Sequence, residues 1–321
     1  MLKKQIIRII LYIVVIHMPL STWASDIDSV QHLSSENKKL IETYNNDYNI
    51  VKKFYSNIKM ECMHNYTAFN PDGSVKNKFT QLWHVYRLGE KFLRMDSHTL
   101  EFDAPALSGK LYQTALVTPK GWYIFDSQDG KTYRLKSYGK DTAELLQGLL
   151  GQVPFLSAPY SSSAKTPVFL FGDFLEENKT APAETFVSKV SEFEDKNGEM
   201  TVEFTSNIPI LKSWVTIVKK SGIWVNKKIV SEFIAKTTNT EKPVPFEEVD
   251  LTVLFKNAKS KYISIIEYQK ESKSIPLIRS MVIKSVDPQG ITQWVSNYKV
   301  TNIEPGIPDS DVFDANQFQI R

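Results

Sequence analysis

The chain has 321 residues, 42% hydrophobic and 23% charged, which excludes a disordered chain and provides enough material for one large or two ordinary domains. It carries 39 basic and 36 acidic residues. Residues 1–24 contain three basic residues (Lys3, Lys4, Arg8) and no acidic residue. The remainder is therefore formally neutral, and its overall charge gives no support to nucleic-acid binding.

The N-terminus has the pattern of an export signal. The three basic residues precede an apolar run from Ile9 to Leu20, and Thr22-Trp23-Ala24 offers a cleavage site before Ser25. This run is short for a membrane span, so an uncleaved anchor helix is the less favoured interpretation. We expect a signal peptide at 1–24, a polar lead at 25–34, and a soluble, periplasmic, monomeric protein with one domain at 35–321.

A helix is predicted from Ser35 to about Ser56, with Ser35 as its N-cap. Apolar residues recur there at spacings of three and four and form one stripe suited to packing on a sheet. The members of this stripe are Leu40, Ile41, Tyr44, Tyr48, Val51, Phe54 and Tyr55.

From Lys59 the apolar period becomes two, which predicts strands. A long hairpin turns at Asn70-Pro71-Asp72-Gly73, and WHVYRLGEKFLRMD (83–96) reads as two antiparallel strands joined at Leu88-Gly89-Glu90. Large apolar side chains on both faces of this pair require cover on two sides. Further strands are predicted at 111–118, 122–127 and 131–138.

The pattern breaks at Asp141–Leu150, a predicted leucine-rich helix, followed by a Pro- and Ser-rich loop to Pro167. Long loops of this kind are often functional. Strands then resume, giving about 13 or 14 in all. The later ones are predicted at 186–193, 199–205, 214–219, 223–235, 249–256, 262–267, 277–285 and 291–302. The predicted fold class is mainly β with few helices (α+β): a large curved antiparallel sheet forming an unclosed β-barrel, covered by the two helices.

No catalytic motif is convincing, and we expect a protein that is not an enzyme and has no cofactor. Cys62 is the only cysteine, so an internal disulfide is impossible; a zinc site with His64 and His84 lacks a fourth ligand. Ser162-Ser163-Ala164-Lys165 matches a Ser-x-x-Lys pattern without its companion motifs. The acid pairs Glu192/Glu194 and Glu247/Glu248 flank turns, so solvent-exposed edges of the sheet are a better interpretation of them than the paired carboxylates of a glycosidase.

The order of these parts resembles the LolA/LolB-like and RseB-like periplasmic proteins, the outer-membrane lipoprotein-sorting-protein-like superfamily. The resemblance is carried by WHVYRLGEKFLRMD (83–96), GWYIFDSQDGKTYRL (121–135), the leucine-rich helix and the ending YKVTNIEPGIPDSDVFD (298–314). It implies an unclosed barrel whose concave face takes acyl chains or lipidated partners, in lipoprotein transport and outer membrane biogenesis. The family's lid-holding arginine is assigned to neither Arg87 nor Arg94.

Nine residues are predicted to line a hydrophobic cavity or, as plainly, to form core: Trp83, Val85, Phe92, Met95, Tyr123, Phe125, Leu145, Leu149 and Phe155. The leading hypothesis is binding of a lipid, an acylated protein or another hydrophobic ligand in this half-barrel. The alternative is an RseB-like envelope sensor or scaffold whose sheet docks on a protein partner, such as an envelope membrane protein. An enzyme acting on envelope polymers is third.

Overall fold

A computed structural model of the chain describes residues 35–103, 108–109, 111–126, 131–135, 149, 153–156, 158–159, 187–190, 199–205, 211–233, 261–269 and 274–318. The predicted export signal, the predicted strand at 249–256 and most of the predicted helix at Asp141–Leu150 lie outside these residues. Among the described residues, no helix has both the length and the apolar character needed to cross a bilayer.

One helix, α1 (Ser35–Tyr55), precedes thirteen strands in the described part of the chain. The strands are β1 (Asn57–Phe69), β2 (Val75–Leu88), β3 (Phe92–Phe102), β4 (Leu111–Thr118), β5 (Gly121–Asp126), β6 (Lys131–Leu135), β7 (Val187–Val190), β8 (Glu199–Thr205), β9 (Leu211–Lys220), β10 (Ile223–Phe233), β11 (Lys261–Tyr268), β12 (Ile278–Val286) and β13 (Thr292–Pro305). Short 3-10 turns occur at Pro154–Leu156, Ser310–Phe313 and Ala315–Phe318.

All thirteen strands belong to a single antiparallel sheet in the order β6-β5-β4-β3-β2-β1-β13-β12-β11-β10-β9-β8-β7. It therefore consists of a six-stranded meander, β1 to β6, and a seven-stranded meander, β7 to β13. The first and last strands join the two meanders, and Cys62 on β1 pairs with Val300 on β13. The edge strands β6 and β7 are not paired with each other, so the sheet is open. The predicted fold class, mainly β with a large unclosed antiparallel sheet, is confirmed.

Hairpin turns follow the predicted turn chemistry. Gly73 (φ 83°) and Gly89 (φ 59°) adopt left-handed conformations in the turns after β1 and β2, which residues with a Cβ rarely adopt. Register shifts at Glu61/Cys62, Thr80/Gln81 and Asn226/Lys228 mark bulges in β1, β2 and β10. Bulges increase the local twist and bend of a strand, so they favour a curved sheet.

The helix packs on one face of the sheet, called the inner face. Its buried residues Tyr48, Val51 and Tyr55 join a hydrophobic core with residues of both meanders. Tyr55 fixes its end: the hydroxyl donates to the carbonyl of Pro276 (3.0 Å) and accepts from the backbone N–H of Ile278 (3.0 Å). The predicted covering role of the N-terminal helix is thereby confirmed.

Candidate functional site

Strands β6 and β7 are the opposite edges of the sheet, and a few residues of the connection between them are described. These residues, 149, 153–156 and 158–159, are called the plug. Phe155 in the plug lies over the middle of the inner face: its ring centroid is 6.2 Å from that of Trp83 on β2 and 5.7 Å from that of Tyr298 on β13. Leu149, Val153, Phe155 and Leu156 have no exposed surface, so the plug closes the inner face.

The plug is anchored to the second meander at Asn226. The backbone N–H of Asn226 donates to the carbonyl of Pro159 (3.0 Å), and its side-chain amide donates to the carbonyl of Ala158 (2.9 Å). The carbonyl of Asn226 accepts from the Tyr268 hydroxyl at 2.6 Å. Asn226 is fully buried and lies at the β10 bulge. Because the bulge interrupts the regular strand pairing, the backbone N–H and the side-chain amide of Asn226 bond to the plug.

Five of the nine predicted lining residues come together on the inner face. Trp83, Val85, Met95, Leu149 and Phe155 all belong to one buried cluster. They are core in the structure, and a binding role for them stays a prediction. Leu145 lies outside the described residues.

Three predicted lining residues lie on the opposite, outer face. Phe92 precedes the inward Leu93, and its ring packs 5.4 Å from Phe313 in the segment after β13. Tyr123 and Phe125 are out of phase with Trp122 and Ile124, which pack in or against the core. Because neighbouring side chains on a strand alternate between faces, these three cannot line the same cavity as Trp83.

The Cys/His cluster considered from sequence also separates. Cys62 and His64 lie on the inner face, whereas His84 lies on the outer face and contacts the Glu61 carboxylate at 3.2 Å. Among the described residues, no group of three or more His, Cys, Asp or Glu could hold a metal ion. Burial raises the pKa of the Cys62 thiol to about 12, which makes it a poor thiolate ligand or nucleophile.

His64 belongs to an aromatic arrangement that the sequence did not reveal. Its ring stacks on that of Tyr298 (centroids 4.4 Å apart, planes at 4°) and meets Trp83 at 4.6 Å. Its Nε2 is 3.3 Å from the hydroxyl of Ser296. Burial lowers the pKa of His64 to about 4, so the imidazole is neutral near pH 7 and adds no charge to the inner face.

Hydrogen bonds fix the orientation of Trp83. The indole Nε1–H donates to the side-chain oxygen Oε1 of Gln81 (2.9 Å), and Nε2 of the same amide donates to the Thr99 hydroxyl (3.1 Å). The apolar ring face is thereby presented to Phe155 while the indole N–H is satisfied. The signal in the sequence is weak, because Gln81 and Thr99 look like ordinary polar strand residues.

The two arginines of the first hairpin occupy different faces. Arg87 is buried, follows Trp83 and Val85 in phase on the inner face, and donates from Nε to the carbonyl of Gly89 at 3.3 Å. Arg94 lies on the outer face, binds Asp96 (2.8 Å) and donates to the carbonyl of Val312 (2.8 Å). Arg94 therefore holds the C-terminal segment and is remote from the plug.

Fold and site together define a mainly β protein with one open antiparallel sheet, a covering helix, and a connection that closes its apolar inner face. No protein-family model matches the chain, and no curated protein matches it.

Several solved structures do match, each over 86% of this chain. The chain is similar to a LolA superfamily protein from Nitrosomonas europaea, with 11% identity and a TM-score of 0.43 over 86% of this chain and 99% of that one. It is similar to a domain assigned to outer membrane lipoprotein sorting from Vibrio parahaemolyticus, with 10% identity, a TM-score of 0.43, and 86% and 98% coverage. The chain is also similar to a DUF1329 family protein from Desulfovibrio piger, with 10% identity and a TM-score of 0.41 over 86% of this chain and 99% of that one.

Proposed function

We propose that this chain is an exported, periplasmic protein that binds a long alkyl chain, as a lipid or an acylated protein, on the inner face after the plug is displaced. The observation that carries the proposal is Phe155: it is fully buried over Trp83 and Tyr298, although it belongs to a connection rather than to the sheet. A role in envelope lipoprotein trafficking is the finer form of this proposal. The wider segment Asp141 to Pro167 would act as the gate.

The free energy that displacing the plug costs is comparable to the free energy that burying an alkyl chain gains. Lifting four buried plug residues (Val153, Pro154, Phe155, Leu156) costs about 6–12 kcal/mol, at about 1.5–3 kcal/mol for each side chain. A ligand gains about 0.8 kcal/mol for each buried methylene, so a chain of about 8–15 carbons offsets that cost. Affinity is therefore expected to rise steeply with chain length and to be slight for short chains.

The site makes no demand for a charged head group at its centre. Cys62 and His64 are neutral near pH 7, because burial raises the pKa of the thiol and lowers that of the imidazole. The rings of Trp83 and Tyr298, which Phe155 covers while the plug is in place, offer apolar contact to an alkyl chain. Such a surface suits hydrocarbon better than a polar metabolite.

The test is to weaken the anchor of the plug. Asn226→Ala removes the side-chain donor to Ala158 and leaves a buried carbonyl without that bond, which costs about 1–3 kcal/mol. If this cost falls on the closed state, the apparent affinity for 1-N-phenylnaphthylamine and for alkyl chains rises by at least about fivefold. Asn297→Ala, at an exposed position on β13, is the matched control and should bind like the unmodified protein.

Phe155→Ala provides an independent variant. It removes the ring that fills the centre of the inner face, so the dye should bind more strongly and native mass spectrometry should show more co-purified lipid. Unchanged dye affinity in both Asn226→Ala and Phe155→Ala, with both proteins folded, would contradict the proposal.

One feature favours the second candidate, a scaffold that docks a protein on its sheet. Met63, Leu82, His98 and Tyr112 are neighbours across β1 to β4 on the outer face. Tyr112 is 49% exposed and stacks on His98 at 3.9 Å. Cross-linking to an envelope protein that is lost in Tyr112→Asp and retained in Phe155→Ala would favour docking over ligand binding.

A further inference from the structure

A second apolar site lies outside the closed inner face, where the end of α1 meets the end of β13. It is a shallow groove of about 480 Å³ that is open to solvent over most of its extent. The lining residues are Ile50, Lys53, Phe54, Asn57, Ile275, Pro305 and Gly306.

The walls of the groove are fixed to one another. The carbonyl of Asn57 accepts from the backbone N–H of Gly306 (3.1 Å), which holds the end of β13 against the end of α1. On the other side, Tyr55 binds the backbone at Pro276 and Ile278 and thereby places Ile275. The groove therefore exists without a ligand and needs no displacement of the plug.

The groove leaves apolar surface in water. Ile50 is 47% exposed, and Ile307, directly after the lining residue Gly306, is 78% exposed. Seven lining residues are far fewer than the roughly 20–30 residues that each partner contributes to a stable protein interface. A small ligand accounts for a surface of this size better than a second copy of the chain does.

Lys53 gives the groove a charge. Its two lysine neighbours are neutralised, since Lys52 pairs with Glu90 (3.1 Å) and Lys59 pairs with Glu304 (3.1 Å). Among the described residues, no carboxylate pairs with Lys53. Lysines are common in the last turn of a helix because the helix dipole favours cations there. Lys53 differs from an ordinary lysine of this kind because it also lines an apolar groove.

From the apolar lining and the unmatched cation we infer that this groove binds a free long-chain fatty acid, with the alkyl chain along Ile50, Phe54 and Ile275 and the carboxylate at Lys53. This site is separate from the inner face and does not depend on the function proposed above. It takes an anion, whereas the inner face has no such requirement.

The first experiment locates the ligand. Palmitate with a diazirine near the end of its chain is photolysed with the full-length protein, and the labelled peptides are mapped by mass spectrometry. Labelling is expected on the peptides that contain residues 50–57 and 275. Labelling confined to residues 149–159 and the inner face would overturn the inference while supporting the inner-face site.

The second experiment measures the contribution of the charge and the lining. Calorimetry compares dodecanoate with dodecanol, and Lys53→Gln is expected to remove a preference for the acid of about two- to fivefold, the range of an exposed ion pair. Ile50→Asp should weaken dodecanoate by at least about tenfold, because it places a carboxylate in the groove. Ile275→Gln tests the same wall if Ile50→Asp does not fold.

Matched controls are available at exposed positions outside the groove, in Ile291→Asp and Lys228→Gln. Both should bind dodecanoate like the unmodified protein, and Asn226→Ala should not alter the acid preference. Equal binding of acid and alcohol in the unmodified protein would overturn the inference. So would sedimentation showing a dimer that Ile50→Asp dissociates, since the occupant would then be a second copy.

Discussion

Acidification from about pH 7.5 to about pH 5 is expected to destabilise the protein through His64. In the folded chain, burial lowers the pKa of this imidazole to about 4, whereas in the unfolded chain it titrates near its usual value of about 6.5. Between these values the unfolded state binds a proton that the folded state does not. Stability contributed by neutral His64 is therefore present above about pH 6.5 and is lost as the pH falls toward 4.

The magnitude follows from the difference of about 2.5 units in pKa. At about 1.36 kcal/mol for each pKa unit, the full contribution is about 3 kcal/mol. At pH 5, one unit above the folded pKa, about 2 kcal/mol of it has been lost. Burial is the larger cause of the lowered pKa, and a hydrogen bond with the Gln81 side chain offsets only part of it. The other contacts of the ring are Tyr298, Trp83, Phe79 and the hydroxyl of Ser296, none of which is a carboxylate.

The assay is urea unfolding, followed by tryptophan fluorescence, at several pH values between about 5 and 7.5. His64→Gln keeps a side chain that can hydrogen-bond but does not titrate, so the free energy of unfolding of this variant should fall about 2 kcal/mol less over the same range. The Thr301 hydroxyl is the chief cause that lowers the pKa of Glu61, so this carboxylate does not add to the loss attributed to His64. His98→Gln, on the outer face, should keep the pH dependence of the unmodified protein. Identical pH dependence in the unmodified protein and His64→Gln would refute the reasoning.

Three further predictions concern stability. Tyr55→Phe removes a hydroxyl that bonds two backbone groups, and should lower the free energy of unfolding by about 1–3 kcal/mol in urea; no change would mean that water replaces the hydroxyl. Cys62 is buried and its pKa is raised to about 12, so a disulfide reagent should react only as urea unfolds the chain; fast reaction of the native protein would contradict this. Gly89→Ala forces a Cβ into a backbone with φ 59° and should cost about 1 kcal/mol by thermal melting, although nothing lies close enough to clash. An unchanged melting temperature would mean that the turn relaxes.

Much of the local structure follows from the sequence alone. The stripe of apolar residues predicts α1, which ends at Tyr55, one residue before the predicted end. Alternation predicts β4 and β8 with their observed bounds, Leu111–Thr118 and Glu199–Thr205. These signals are strong because side-chain periodicity and turn chemistry act over a few residues and need no distant partner.

The faces of individual residues were predicted less well. The sequence grouped Phe92, Tyr123 and Phe125 with Trp83 because all are large and apolar. In the structure Phe92 packs on Phe313, a residue of the C-terminal segment. An apolar side chain on the outer face needs such a cover, and a contact between residues more than 200 positions apart leaves no local pattern.

What the sequence by itself determined is the series of short antiparallel strands, their turns and the helix that packs on them, because these depend on neighbours along the chain. Only the tertiary structure decided that β1 pairs with β13, since hydrogen bonding between the first and last strands has no signature in either one. That single pairing makes β6 and β7 the edges of the sheet, and the described residues between these strands include Phe155, which lies over Trp83. It also brings the end of α1 to Pro305 and Gly306, where the groove with Lys53 forms. The location of both candidate sites therefore depends on long-range packing.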